Sequence, residues 1–235
     1  MNARLKNLGI VLAILGLVFV AGGVFAFTKV QAGNASIAAF AEAQNVALTY
    51  NEEGQLVDRG DPEQGAKILS LLEDDWKYSV NSSELDPDDP IVNTASEYMV
   101  QMATIAYHTL NSTVSVTLAD DAEDTEYNGV TYSAGDTVEF VNDGKYWTDF
   151  DRNNAIEGPA RGLIWSATAH ALIAELGVGS VTASTLQLGL GVSLLVAGIG
   201  GTFLLTGLGL IWAVRPPKVA AEKAAEKAPA KAAKK

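Results

Sequence analysis

Two long apolar runs without a charged residue constrain the possible fold of this chain more than any other feature of its sequence. The first run covers residues 8–27, and the second covers residues 185–214. An α-helix rises about 1.5 Å per residue, so about 20 residues cross a hydrocarbon core of roughly 30 Å. Each run therefore predicts a transmembrane helix, and the second is long enough to tilt or to extend beyond the bilayer.

The charges around the two runs predict how the chain crosses the membrane. Basic residues precede the first run, and a tail rich in lysine and alanine follows the second. Residues 28–184, by contrast, contain 26 acidic and 7 basic residues, a net charge of −19. Because basic flanks stay on the cytoplasmic side, we expect residues 1–7 and 215–235 in the cytoplasm and residues 28–184 outside the plasma membrane.

The first run also has a feature of secretory signal peptides. The tripeptide VFA stands immediately before Phe27, and small residues of this kind form signal-peptidase sites. The apolar segment of a signal peptide is usually roughly 7–15 residues long, which is shorter than this run. We therefore expect an uncleaved membrane anchor.

The composition of the segment between the runs argues against nucleic acid as a partner and against stabilisation by disulfides or thiolate metal sites. Its acidic balance argues against nucleic acid, because phosphates are bound by lysine and arginine. The chain contains no cysteine, so disulfides and thiolate metal sites are excluded. A domain of about 150 residues can nevertheless be stabilised by a hydrophobic core alone.

Helix start signals occur at two places in this segment. Asp61 followed by Pro62 is typical of a helix start, because the Asp side chain caps the first turn and proline fits the first helical position. Asn93 or Thr94 predicts the cap of a second, strongly apolar helix that ends near residue 110.

Two further helices are expected next to the apolar runs. Asn34 predicts the cap of a helix that continues outward from the first run. A helix that begins near Pro159 returns the chain to the second run. The glycines of GVGS, residues 177–180, predict a break between that helix and the second run.

The apolar period changes to strict alternation after residue 110. STVSVTL and TVEFV alternate, KYWTDF follows as a further candidate strand, and Asn128-Gly129 in EYNGVTY is the strongest short signal for a hairpin. This pattern predicts an antiparallel meander of three or four strands. The expected fold is thus a membrane protein in which two transmembrane helices enclose a small α+β extracytoplasmic domain.

Small residues recur along both apolar runs. They stand every four residues in the second run and on roughly one face of the first. Such ridges let helices approach closely in lipid. They predict either that the two spans pack on each other or that one ridge docks on a larger membrane complex. The helix-packing residues are Gly189, Ser193, Ala197 and Gly201 in the second run and Gly9, Ala13 and Gly16 in the first.

The only two histidines, His108 and His170, are the candidates for a metal site. Two histidines and a carboxylate on one face are the ligand set of mononuclear non-haem iron sites. Neither histidine has a carboxylate three or four residues away, and no His-Glu-x-x-His sequence occurs. We therefore expect no catalytic residue, metal or cofactor, with non-haem iron held by these histidines as the alternative.

Aromatic residues in NDGKYWTDFDRNN suggest a contact with a partner. Tyr146, Trp147 and Phe150 lie among charged residues there. Tyrosine and tryptophan in such loops often anchor a protein interface, and they also often close the core of a small sheet. Both interpretations remain open on the sequence.

Several segments carry a resemblance to a known family. AFAEAQNVALTYNEEGQLVDRG, NTASEYMVQMATIAYHTL and YWTDFDRNNAIEGPAR, in this order, resemble actinobacterial two-span membrane proteins commonly named "aromatic ring-opening dioxygenase". That name implies cleavage of a catechol with non-haem iron. A looser resemblance of architecture, to small accessory subunits of actinobacterial cytochrome bcc–aa3 respiratory supercomplexes, implies a structural role beside haem and copper proteins.

These observations favour a non-catalytic membrane protein that docks on a larger membrane complex. Its expected partners are the lipid bilayer and a membrane protein. An iron-dependent ring-opening dioxygenase and an extracytoplasmic ligand-binding domain are the alternatives.

Overall fold

The computed structural model describes residues 2–215 of the chain. The tail predicted after residue 215 therefore lies outside the described residues. The elements in chain order are α1 (Asn2–Gln44), α2 (Pro62–Ser70), α3 (Ala95–Leu110), β1 (Thr113–Thr117), β2 (Thr125–Tyr127), β3 (Val130–Tyr132), β4 (Thr137–Val141), α4 (Glu157–Ile164) and α5 (Ala167–Ala213).

Two helices, α1 and α5, are long and apolar enough to cross a membrane, by length and composition. They contain 43 and 47 residues, and the small α+β region lies between them in the sequence. The chain divides into two compact units. The first consists of the described residues of Met1–Gly33 and Leu186–Lys235, and the second is Asn34–Thr185.

In the first unit, α1 and α5 form an antiparallel hairpin along a seam of small residues. A Cβ atom added to Gly9 would come within 2.7 Å of the Gly207 carbonyl oxygen, and one added to Gly23 within 2.8 Å of the Ser193 carbonyl oxygen. The buried seam residues recur every seven positions. This period keeps the same face of each helix in contact with the other helix when the two cross with a left-handed twist. They are Gly9, Gly16 and Gly23 on α1 and Ser193, Gly200 and Gly207 on α5.

In the second unit, α2 and α3 begin where the capping signals predicted. The Asp61 side chain accepts a hydrogen bond from the Glu63 backbone N–H, and Pro62 occupies the first position of α2. Thr94 and Glu97 form a reciprocal capping box at the start of α3, in which the Glu97 carboxylate accepts from the Thr94 N–H at 2.9 Å. These two predictions are confirmed.

Two of the boundaries predicted next to the apolar runs are wrong, whereas the helix predicted to begin near Pro159 is confirmed as α4. Asn34 caps nothing, because α1 passes through it and ends at Gln44, where Asn45 adopts a left-handed φ of 51° and its N–H donates to the Ala41 carbonyl. The break lies at Trp165, between α4 and α5, rather than at residues 177–180.

The strands form two separate two-stranded sheets rather than one meander. β1 pairs antiparallel with β4, from Thr113 opposite Val141 to Thr117 opposite Thr137. β2 and β3 form a hairpin inserted between them in sequence, with Asn128 and Gly129 at φ 51° and 77° in its two-residue loop. The prediction of a β-hairpin at Asn128-Gly129 is confirmed. The prediction of a single sheet is wrong, and KYWTDF forms turns instead of a strand.

Large buried side chains form the core of the second unit in two clusters. One joins α4 and the β1–β4 sheet and contains Phe140 and Ile156, which are 2% and 1% exposed. The other joins α2 and α3 and contains Ile68, Leu72 and Val100, which are at most 1% exposed. Burial of such side chains is the main stabilising term for a unit without disulfides.

Candidate functional site

The two histidines lie in different settings and have different partners. His108 on α3 places Nε2 3.1 Å from Oδ1 of Asp58 in a hydrogen bond, and 3.0 Å from Oδ2, which lacks hydrogen-bond geometry. His170 on α5 is exposed and lies edge-on to Trp147, with ring centroids 5.0 Å apart. Within residues 2–215 no group of three or more potential ligands that could hold a metal ion occurs.

The aromatic residues predicted to contact a partner divide between the surface and the core. Phe150 is 4% exposed and belongs to the core beside Phe140, so its ring has no surface to offer. Tyr146 is 38% exposed, stacks on Trp165 and accepts a hydrogen bond of 2.8 Å from the Trp76 indole N–H. Of the three residues, only Tyr146 and the half-buried Trp147 keep accessible ring surface.

Trp147 carries an additional contact that the sequence did not suggest. The Arg161 guanidinium lies 3.9 Å from the centroid of its ring, in cation–π geometry. Trp165, which stacks on Tyr146, donates its indole N–H to the Lys145 carbonyl oxygen at 3.1 Å. These contacts orient the rings of Tyr146 and Trp147.

Six of the seven predicted helix-packing positions lie along the seam of the hairpin. Gly200 and Gly207 complete the seam, because the contact follows a seven-residue period instead of the four-residue ridge. Gly201 is the exception, since a Cβ atom there would meet nothing within 4 Å. The six on the seam are Gly9, Ala13, Gly16, Gly189, Ser193 and Ala197.

Glycines away from the seam leave open surface on the hairpin. A Cβ atom on Gly191, Gly198 or Gly209 of α5 would meet no atom within 4 Å, and the same holds for Gly22 of α1. The large apolar residues between them are exposed as well; Leu205, for example, is 72% exposed. The seam therefore occupies one face of each helix and leaves the remaining apolar faces uncovered within the described chain.

An apolar pocket of about 540 Å³ lies in the second unit. Its walls come from the C-terminal turns of α1, from α3 and from the N-terminal turns of α5. Ile37, Phe40 and Ile105 supply apolar wall, and Glu175 is the one charged residue of the described chain that lines it. This volume is in the range of roughly 300–1,000 Å³ that is typical of ligand pockets.

Gly179 and Tyr98 shape one side of this pocket. A Cβ atom at Gly179 would come within 2.6 Å of the Tyr98 ring, so a glycine is needed for that ring to lie against α5. Burial raises the pKa of the Tyr98 hydroxyl, and the negative charges of Glu97 and Glu175 raise it further. The hydroxyl is therefore a neutral hydrogen-bonding group at physiological pH.

Comparisons of the chain with models of protein families, with curated proteins and with solved structures find no match. The chain's own surfaces are therefore the guide to its function.

The sequence did not reveal the pocket. Its lining residues come from three helices and two loop positions, Val46 and Val92, that no single periodic pattern connects. GVGS was the one available signal. Its glycines were interpreted as a helix break, whereas Gly179 permits close contact with an aromatic ring.

Proposed function

We propose that this chain is a two-span integral membrane protein that serves as a non-catalytic accessory subunit of a larger membrane complex, such as a respiratory supercomplex. Residues 8–27 and 185–214 lie in the plasma membrane in this proposal. Residues 28–184 lie outside, and both termini lie in the cytoplasm.

The uncovered apolar surface of the hairpin carries the proposal. In the most apolar window of each long helix only 11% of the residues are buried. A core helix of a soluble protein would bury most of its apolar side chains, because each exposed Å² costs about 25 cal/mol in water. Lipid removes that cost without further protein contacts, and the charged flanks favour the stated orientation.

The open glycines on α5 support docking on a second membrane protein. Small residues on a lipid-facing surface allow another helix to approach closely, and Gly191, Gly198 and Gly209 remain free after the hairpin has formed. Tyr146 and Trp147 offer a further contact outside the membrane, where their rings are held by Trp165 and Arg161.

Affinity purification of the full-length protein in mild detergent, followed by mass spectrometry, tests the docking role. We expect a stable complex with other integral membrane proteins. Emergence of the protein alone and monomeric would contradict the accessory role.

A matched pair of variants locates the docking surface. Gly198→Leu adds bulk to the open face of α5, and Gly22→Leu adds the same bulk to the open face of α1; neither position touches the seam. We expect Gly198→Leu to reduce the recovery of partner proteins and Gly22→Leu to preserve it. Equal recovery in both variants would show that the open face of α5 is not the docking surface.

A further inference from the structure

We propose that the apolar pocket of the second unit binds one hydrocarbon chain of a membrane lipid. The inference rests on the proposed membrane insertion, which supplies the lipid, and it adds a binding site to the accessory role.

The composition of the pocket wall selects for hydrocarbon. Residues 28–184 have a net charge of −19, yet among the described residues a single carboxylate, that of Glu175, lines the pocket, and no basic residue does. An anionic group would be repelled by this surrounding and would find no cation to pair with. The amides of Gln44 and Gln101 and the hydroxyls of Tyr98 and Thr182 are neutral polar groups available to a headgroup or ester.

Several apolar side chains around the pocket remain exposed. Val178 is 66% exposed, Phe40 is 52% and Leu172 is 41%. This apolar surface is costly in water, at about 25 cal/mol for each Å². A bound hydrocarbon chain would cover it and would gain about 0.8 kcal/mol for each methylene group buried.

The occupant is a membrane lipid because α5, which supplies Leu172 and Val178 to the pocket wall, is also one of the two helices that are long and apolar enough to cross a membrane. In the proposed topology, residues 185–214 of this helix lie in the bilayer. The helix that lines the pocket is therefore in contact with lipid further along its length.

Photolabelling in membranes tests this binding directly. The full-length protein is reconstituted into vesicles of phosphatidylcholine that contain a tracer with a diazirine in one acyl chain, irradiated, digested and mapped by mass spectrometry. We expect label on peptides that contain residues 37–46 and 172–182, in addition to label on the apolar runs.

Two valine variants on α5 provide the matched control. Val178→Trp places an indole at the pocket wall, while Val181→Trp places the same group three residues away, at a valine of nearly equal exposure that does not line the pocket. We expect Val178→Trp to lower labelling of residues 37–46 by about ten-fold, the effect of roughly 1.4 kcal/mol, and Val181→Trp to leave it unchanged.

The outcomes separate this inference from the proposed function. Equal labelling of residues 37–46 in both variants, or label confined to the apolar runs, would overturn the lipid site while leaving the membrane protein intact. Protection of residues 37–46 only when a partner protein is added would assign the pocket to that protein instead. Absence of label on the apolar runs would refute membrane insertion itself.

Discussion

The hairpin unit and the α+β unit are stabilised by opposite kinds of residue. In the hairpin, glycine and serine are buried at the seam and leucine, valine and phenylalanine are exposed. In the α+β unit, large apolar side chains are buried and the surface is acidic. The first pattern is typical of helices that pack in lipid, and the second is typical of a core that forms in water.

Replacement of one phenylalanine in each unit should give the largest difference in the free energy of unfolding. Phe140 is 2% exposed in the core of the α+β unit, and Phe25 is 64% exposed in the first apolar run. We expect Phe140→Ala to lower the free energy of unfolding by about 3–5 kcal/mol because it leaves a cavity. Phe25→Ala should change it by less than about 1 kcal/mol.

Chemical denaturation of both variants in the same mild detergent measures these values. A loss of stability in Phe25→Ala as large as that in Phe140→Ala would mean that the first apolar run is packed like a soluble core.

Enlargement of a seam glycine should destabilise the hairpin specifically. A Cβ atom on Gly200 would lie 2.5 Å from the Val20 backbone nitrogen, whereas one on Gly198 would meet nothing within 4 Å. We expect Gly200→Val to cost about 1–3 kcal/mol, as overpacking does, and Gly198→Val to cost less. Thermal unfolding in detergent measures the difference in stability. If Gly198→Val were the more destabilising of the two variants, the seam would not run through Gly200.

Removal of a helix cap should affect only the α+β unit. Thr94 caps α3 by accepting a hydrogen bond from the Glu97 N–H, at 3.3 Å. We expect Thr94→Ala to lower the free energy of unfolding by about 1 kcal/mol. Thr94→Ser keeps the hydroxyl and should retain most of the stability in the same denaturation assay. If both variants lose the same amount of unfolding free energy, the Thr94 hydroxyl does not act as a cap.

Alkaline pH should weaken the α+β unit through Tyr50. Burial raises the pKa of its hydroxyl to about 12, helped by the negative charges of Glu97 and Asp86. The folded state then holds this proton more tightly than the unfolded state, so the stability it contributes is full below about pH 10 and is lost as the pH rises toward 12.

Tyr50→Phe checks this dependence. The hydroxyl is buried without a hydrogen-bond partner among the described residues, so its removal should raise stability at neutral pH by at most about 1 kcal/mol. Denaturation between pH 8 and 11 should show a smaller decline in the variant than in the parent protein. An identical decline of stability with pH in both proteins would show that Tyr50 does not cause the alkaline loss.

The sequence predicted those features of the fold that depend on neighbouring residues. Asp61, Thr94 and Asn128-Gly129 act through hydrogen bonds or dihedral angles within a few positions, and the structure confirms each. Features that depend on distant contacts were missed. Gly179 looks like a helix breaker until the Tyr98 ring is placed against it, and the seven-residue seam becomes visible only when α1 is packed on α5.

The candidate site was less predictable than the fold. His108 and His170 drew attention as potential ligands, but the partner of His108 is Asp58, which lies 50 residues away in the chain. The pocket residues are individually ordinary apolar residues, and only the tertiary arrangement brings them together.

Labelling of single cysteines in intact cells tests the central claim of a two-span membrane protein most directly. The chain has no cysteine of its own, so Lys6→Cys, Asp121→Cys and Arg215→Cys each give a unique site. With a membrane-impermeant maleimide, we predict labelling of Asp121→Cys in intact cells, and of Lys6→Cys and Arg215→Cys only after permeabilisation. Labelling of Lys6→Cys or Arg215→Cys in intact cells, or recovery of the protein in the soluble fraction, would contradict the account.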